Sequence, residues 1–297
     1  DLNPAQDLRV SGFYARSDTE GLGSENEAYR GRFNYAADRY GVGFERMVVE
    51  RDFNPEIGFL SRESFERSFG LFRFSPRPES WEAVRKLSFQ GSFDHITDTE
   101  GTLETRIARG SFLIDFENSD QMEIVYSNNL EFLPEPFEIA PRIVLPVDTY
   151  RFDDLRYRYK LGPQRRLSGE AFFQLGTFFS GDRVEVGYRG RVELATQLSL
   201  EPGLQFNWVH LAEGDFDARL VTARVNYTMS PRIFLSALAQ YNSSIDALET
   251  NVRFRWEYQP GSDLFVVYTD GRDTLVRGFP GTLNRSFVVK FTRLFRF

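Results

Sequence analysis

Arginines and glutamates recur at every second position in several stretches of the chain, the spacing that places side chains on one face of a β-strand. Guanidinium groups beside carboxylates and tyrosines can bind anionic or hydroxyl-rich solutes, because their planar donors match oxyanion geometry. The same residues can instead form Arg–Glu ion pairs that stabilise a water-filled interior of the protein. Both interpretations stay open. The set predicted to share an inward, lumen-facing side is Arg156, Arg158, Arg189, Arg191, Arg224, Arg253, Arg255, Glu185, Glu193 and Glu257.

The sequence offers little support for a catalytic site. The chain has two histidines, His95 and His210, and no cysteine. Ser92, Asp94 and His95 suggest a hydrolase triad, but in a strand Ser92 and Asp94 lie on the face opposite to His95. His210 follows Trp208 at a predicted strand end, where an interfacial histidine needs no catalytic role. We therefore predict no catalytic residue and no enzyme activity.

Acidic tips occur in three predicted loops. Asp18-Thr19-Glu20-Gly21 and Asp98-Thr99-Glu100-Gly101 repeat one tetrapeptide pattern, and Gly214-Asp215-Phe216-Asp217 adds a third tip. Oxygen ligands at this spacing could hold calcium, but an EF-type loop supplies more ligands in a fixed order. Solvated turns explain the tips more simply, so we predict no metal site and no cofactor.

The elements that must position these residues are strands. Val252, Phe254 and Trp256 share one face of a period-2 segment, and Arg253 and Arg255 share the other. Sixteen such segments are predicted near residues 7–16, 28–37, 40–49, 65–74, 84–95, 103–116, 121–132, 150–161, 167–179, 183–195, 199–209, 219–229, 232–242, 249–259, 263–270 and 286–297. Most have the length of about 9–11 residues that a membrane-spanning strand requires.

Composition supports this interpretation. The mean hydropathy is −0.40, and no stretch approaches the roughly 20 apolar residues of a membrane helix. Aromatic residues make up 15% of the chain, with 30 Phe and 13 Tyr, which suits a lipid-facing surface and its interfacial girdles. A soluble sandwich is the alternative, but its strands usually run about 5–6 residues. The net charge of −7 argues against nucleic acid as a partner.

The sequence thus predicts an all-β fold, a transmembrane antiparallel β-barrel of about 16 strands, with residues 1–297 as a single domain. An arginine or lysine at the bilayer midplane costs about 2–4 kcal/mol, so the arginine face must line the lumen. The links alternate between tight turns, such as 196–197, and long segments, such as Leu133–Thr149 and Glu50–Ser64. Long loops suit the extracellular side, which places the carboxy terminus in the periplasm of a bacterial outer membrane.

The last predicted strand, Ser286–Phe297, resembles the carboxy-terminal assembly signal of bacterial outer-membrane barrels. Phe291, Phe295 and the terminal Phe297 are its signal residues, on the same face as Phe287 and Val289. The resemblance implies outer-membrane lipid, lipopolysaccharide and the barrel assembly machinery as partners. We expect a secretion signal to have been removed or to lie upstream.

Several stretches resemble one known family of outer-membrane proteins. They are Phe53–Pro78 (with NPEIGF), Asp148–Arg183, Tyr227–Thr274 (with FRWEYQPGSDLFVVY) and the ending NRSFVVKFTRLFRF. The family is grouped as domain of unknown function 5916, in which a carbohydrate-binding-module-like segment precedes a long barrel region. That segment and the upstream strands have no counterpart here, so in this family sixteen strands would be a lower bound.

Function is predicted from both sources. The strands and their arginines indicate a porin-like channel or transport component, for anionic or, as the family resemblance implies, saccharide-related solutes. The alternative is a non-conducting barrel, plugged by a loop such as Leu133–Thr149, that anchors or scaffolds a partner complex.

Overall fold

The computed structural model describes residues 7–56, 58–60, 62–276, 278 and 281–295. Sixteen strands form one sheet in which every strand pairs antiparallel with the next sheet strand along the chain. In chain order, with an additional hairpin formed by β8 and β9, the strands are β1 (Leu8–Arg16), β2 (Glu27–Ala36), β3 (Tyr40–Val49), β4 (Phe65–Phe74), β5 (Val84–Asp98), β6 (Leu103–Phe116), β7 (Gln121–Leu133), β8 (Phe137–Ala140), β9 (Ile143–Leu145), β10 (Asp148–Leu161), β11 (Leu167–Phe178), β12 (Gly181–Ala195), β13 (Leu198–Leu211), β14 (Gly214–Ser230), β15 (Ile233–Asn242), β16 (Ala247–Gln259), β17 (Ser262–Asp273) and β18 (Thr282–Phe291).

The predicted fold class is confirmed in strand number, order and direction. Each of the sixteen predicted segments corresponds to one strand of the sheet, and the bounds of β3, β4 and β6 coincide with the predicted ones. Among the described residues, β1 pairs only with β2 and β18 pairs only with β17. In the part of the chain that the structure describes, no helix combines the length and apolar content needed to cross a membrane.

The segment between β7 and β10 corrects one expectation. It was predicted as a loop, and it contains the β8–β9 hairpin, which pairs only with itself and lies outside the main sheet. Its strands have four and three residues, too few for alternation to be recognised in the sequence.

The last strand also differs from its prediction. It runs from Thr282 to Phe291 rather than from 286 to 297, so Phe295 lies beyond its end and Phe297 lies outside the described residues. The backbone N–H of Thr292 still donates to the carbonyl oxygen of Asp263 at 2.8 Å. The neighbouring β17 begins at Ser262, so Arg293, Leu294 and Phe295 have no β17 residue to extend the ladder with.

The connections divide between two ends of the sheet. The turn end carries residues 37–39, 75–83, 117–120, 162–166, 196–197, 231–232 and 260–261, and the loop end carries the longer segments 17–26, 50–64 and 134–147. The tight links predicted from the sequence all lie at the turn end. Gly261 has a positive φ of 78° in its two-residue turn, a conformation that favours glycine. The loop before β18 is shorter than predicted, since β17 extends to Asp273.

The two faces of the sheet differ sharply in chemistry. Directly opposite residues on neighbouring strands share a face, so the register assigns a face to every strand residue. On the outer face, each strand has at least three consecutive outward positions without Asp, Glu, Lys or Arg. Taking one residue per strand, this outer band contains Val10, Phe33, Phe44, Phe72, Phe89, Phe112, Ile124, Leu155, Phe173, Val186, Leu204, Val225, Leu235, Phe254, Val266 and Val289.

Aromatic and charged residues mark the edges of the outer band. Tyr40 stacks on Phe74 with 5.4 Å between ring centroids, and Tyr258 stacks on Phe291 at 5.2 Å, both near the turn end. Toward the loop end, charged outward residues follow the band on several strands: Arg46, Arg106, Asp153, Asp182, Arg219 and Asp270. Charged residues along one edge of an apolar band are the pattern expected at a bilayer interface.

Candidate functional site

All ten residues predicted to share an inward side lie on one face, here called the inner face. Their arginines fall on alternate strands, β10, β12, β14 and β16. The intervening strands contribute carboxylates to the same face, among them Glu170, Glu201 and Asp263.

Some of these arginines are held by neighbouring side chains. Arg158 forms ion pairs with Glu123 at 2.7 Å and Glu170 at 3.4 Å. Arg255 donates from its Nε to Asp263 at 3.0 Å. Arg156 lies over the Phe172 ring, 4.2 Å from its centroid. These contacts hold the three arginine side chains against the wall.

The glutamates of the set also have local partners. Glu185 is buried and accepts a hydrogen bond from Nε2 of Gln205 at 2.8 Å. Glu257 accepts the backbone N–H of Gly261 at 3.0 Å, which closes the β16–β17 turn. Glu193 lies 3.4 Å from Arg191, and both are half exposed.

A second group of cations surrounds a concave region near the turn end, which we call the trough. It has a volume of about 520 Å³ and spans β10 to β15. The polar and aliphatic side chains that line it are Lys160, Ser168, Arg189, Arg191, Glu201, Thr222, Arg224, Leu238 and Gln240. Gly203 lies opposite both Arg189 and Thr222, and a Cβ there would collide with the Thr222 hydroxyl.

The trough has an excess of positive charge. Four cations, Lys160, Arg189, Arg191 and Arg224, line it with one carboxylate, Glu201. The Nε of Arg224 is 3.9 Å from Glu201, at the limit of an ion pair. Glu170 lies between Lys160 and Arg189 in the register. It forms its ion pair with Arg158, so neither Lys160 nor Arg189 is paired with it. Arg189 makes no ion pair within 4.0 Å to any described residue.

A second, smaller groove continues the trough across β14 to β17. Its volume is about 260 Å³, and it shares Arg224, Leu238 and Gln240 with the trough. Arg253 and Glu249 add one charge of each sign to it. Arg253 donates to Asn251 at 2.8 Å and to no carboxylate of the described chain.

The inner face of β1 to β7 holds a network of ion pairs. Glu45 is buried between Arg30, with which it makes a close ion pair, and Arg67 at 3.1 Å. Arg67 also binds Asp94 at 2.6 Å. This network was not predicted from the sequence, although Arg30 and Arg32 alternate in the same way as the predicted set.

The β8–β9 hairpin packs against the inner side of the sheet at the loop end. Leu145 is 0% exposed and clusters with Tyr150, Val209 and Leu211 of the wall. Phe178 and Phe179 add edge-to-face aromatic contacts, with 4.8 Å between their centroids. The hairpin therefore covers the loop end of the same sector that holds the trough at the turn end. This apolar patch was not predicted.

The histidines and acidic tips do not assemble into a reactive site. His95 is on the outer face beside Phe93, and Ser92 and Asp94 are on the inner face. His210 is exposed, 3.9 Å from Asp182. The Asp98 carboxylate accepts backbone N–H groups of its own turn. Over the described residues, no group of three or more His, Asp or Glu is placed to hold a metal ion.

Two carboxylates organise the turn end. Asp120 is buried and accepts hydrogen bonds from the Gly162 backbone N–H at 2.7 Å, Tyr159 at 3.0 Å and Arg165 at 3.0 Å. Burial alone would raise its pKa, but together these donors hold the pKa of Asp120 below its usual value. Hydrogen bonds from Arg77 and Lys86 lower the pKa of the exposed Asp38 still further.

Comparisons with known proteins show a likeness in structure but none in sequence. No family model matches the chain, and no curated protein matches it. A mutant of the ferric enterobactin receptor from Pseudomonas aeruginosa is similar with a TM-score of 0.49 and 10% sequence identity, over 89% of this chain and 53% of that receptor. The chain thus spans about half the length of the receptor. A likeness at this level bears on neither activity nor substrate.

Proposed function

We propose that the chain is an integral β-barrel of the bacterial outer membrane and serves as a porin-like channel or transport component. The observation that carries the proposal is the outer band, which is free of charged residues on all sixteen strands. Its apolar side chains are exposed, among them Phe44 at 55% and Phe72 at 54%. A soluble protein rarely exposes an apolar surface of this extent.

The inner face supports transport rather than a filled core. It carries arginines, lysines and carboxylates on strand after strand, and these groups need water or partners. Barrels of 16–18 strands enclose an aqueous channel. Polar solutes could therefore pass along the inner face, and its arginines favour anionic cargo. Saccharide-related cargo remains a prediction from the family resemblance.

The connections support one orientation, because the three segments of ten or more residues all lie at the loop end, which also carries the two-residue links 179–180 and 212–213. Short turns at one end and long loops at the other are typical of bacterial barrels, whose turns face the periplasm. We propose that the turn end and the carboxy terminus are periplasmic, and that lipid, lipopolysaccharide and the barrel assembly machinery are the partners. No enzyme activity is part of the proposal.

The docked β8–β9 hairpin favours a second candidate, a barrel whose mouth is obstructed and which anchors a partner complex. Leu145 of the hairpin is fully buried against Tyr150, Val209 and Leu211 of the wall, so the segment is held there. In this case the polar inner face would be solvated without conducting.

Membrane extraction and planar-bilayer recording test both candidates. We expect the protein to sediment with outer membranes, resist alkaline carbonate, and migrate differently on gels with and without heating. The purified, folded protein should then give discrete conductance steps. A folded but silent protein would remove the channel in favour of the scaffold, and a protein that stays in solution without detergent would remove the barrel.

A further inference from the structure

We propose that the trough is a binding site for solutes that carry two or more oxyanion groups, such as phosphates, sulfates or carboxylates. This inference rests on the proposed function, because it requires the inner face to be reached by water and solute. The sequence suggested anion binding only for the arginines as a group, and this inference places it at one site in the wall.

Charge is the first reason. The whole chain has a net charge of −7, whereas four cations and one carboxylate line the trough. Elsewhere on the same face, Arg67 and Arg158 each contact two carboxylates within 4.0 Å. Lys160 and Arg189 make no ion pair within 4.0 Å among the described residues, whereas Arg191 lies 3.4 Å from Glu193 and Arg224 lies 3.9 Å from Glu201. Unpaired cations inside a concave surface attract anions, and the walls focus their field.

Geometry is the second reason. Arg189 lies level with Thr222, and Arg224 follows Thr222 by two residues on β14. Strand spacing then separates the two arginines by roughly 10 Å across the sheet and about 7 Å along it. Long side chains from both positions can converge on one ligand that bears two charged groups, and guanidinium forks bind such groups with two parallel hydrogen bonds.

The floor supplies space and neutral donors. Ser168 and Thr222 offer hydroxyl groups. A volume of about 520 Å³ is within the range of about 300–1,000 Å³ found for small-molecule sites. The half-exposed Arg191 and Arg224 predict binding that weakens strongly with added salt.

Titration calorimetry with inorganic pyrophosphate, on the full chain folded in detergent, tests the site. We expect saturable binding at low ionic strength, weakened about tenfold or more in the double variant R189Q/R224Q, since two charge-assisted hydrogen-bonding groups are lost. The matched control R255Q removes an arginine on the same face that is bound to Asp263, and it should bind within about twofold of wild type. Should the double variant fail to fold, the single variant R189Q takes its place.

The outcomes separate this site from the channel. Conductance without saturable pyrophosphate binding, or equal binding by wild type and R189Q/R224Q, overturns the site and leaves the channel standing. Binding that depends on these arginines in a folded protein that does not conduct supports the site and removes the channel.

Discussion

Arg253 and Phe254 are consecutive on β16, and the sheet places them on opposite faces. Arg253 lies opposite Ser236 and Val267 on the inner face, whereas Phe254 lies opposite Leu235 and Val266 in the outer band. This alternation repeats on every strand, and it separates an apolar exterior from a charged interior one residue at a time.

Exchanging the chemistry of these two positions should have unequal effects. Phe254→Arg places a cation near the middle of the outer band and should destabilise the folded barrel by about 2–4 kcal/mol, whereas Arg253→Phe should be tolerated. Trp256→Arg, one outward position closer to the turn end, should cost less because the penalty falls toward the interface. The folded fraction after titration with urea in lipid vesicles measures all three. Equal losses for Phe254→Arg and Arg253→Phe would contradict the assigned faces.

The β8–β9 hairpin should detach when its buried anchor is shortened. Leu145→Ala removes most of a fully buried side chain, and such truncations cost about 2–5 kcal/mol. We expect faster proteolytic cleavage within residues 134–147 and, in the conducting case, larger current steps. Val144→Ala is the matched control, because Val144 is the preceding residue and is 44% exposed. Cleavage that is no faster in Leu145→Ala than in Val144→Ala would show that the hairpin is not held by this contact.

Acid should loosen the turn end through Asp120. A carboxylate whose pKa is lowered on folding stabilises the protein above its unfolded pKa of about 3.9, and that contribution is lost as the pH falls through the lower, folded pKa. Stability should therefore fall as the pH drops from about 5 to 2.

Asp120→Asn tests this dependence. It should destabilise the protein at neutral pH by on the order of 1–3 kcal/mol, because buried donors lose a charged partner, and it should flatten the acid limb of the stability curve. Asp38→Asn removes the exposed carboxylate that pairs with Arg77 and Lys86 at the same end. Its lowered pKa gives it a separate part of the acid limb, but its effect at neutral pH should be small because solvent screens exposed ion pairs. An unchanged acid limb in Asp120→Asn would exclude this residue as its cause. Unfolding by urea at a series of pH values provides the measurement.

Replacing an inner-face arginine that forms ion pairs should destabilise the protein more than replacing one that forms none. Arg67→Gln leaves Glu45, which is buried, and Asp94 with one fewer partner, so we expect a loss of about 1–3 kcal/mol. Arg189→Gln breaks no ion pair among the described residues and should change stability by less than about 0.5 kcal/mol. Urea midpoints of the two variants compare them. A larger loss for Arg189→Gln would mean that its guanidinium braces the wall.

The sixteen strands and their faces could be predicted from the amino-acid sequence because they rest on a local property. In the proposed barrel each strand would meet lipid on one side and water on the other, so residues such as Val252 and Arg253 alternate within a few positions. The ten predicted inner-face residues needed only this period. The end of β18 could not be predicted in this way, since it depends on where β17 begins.

Only the tertiary structure decided which arginines have carboxylate partners. Arg158 meets Glu123 and Glu170, while Arg189 meets neither, and that difference depends on register between segments far apart in the chain. The same holds for Leu145, which is buried against Val209 of a strand more than fifty residues later. Alternation is a property of a single strand exposed to two solvents, whereas ion pairing and docking depend on long-range contacts that no local pattern records.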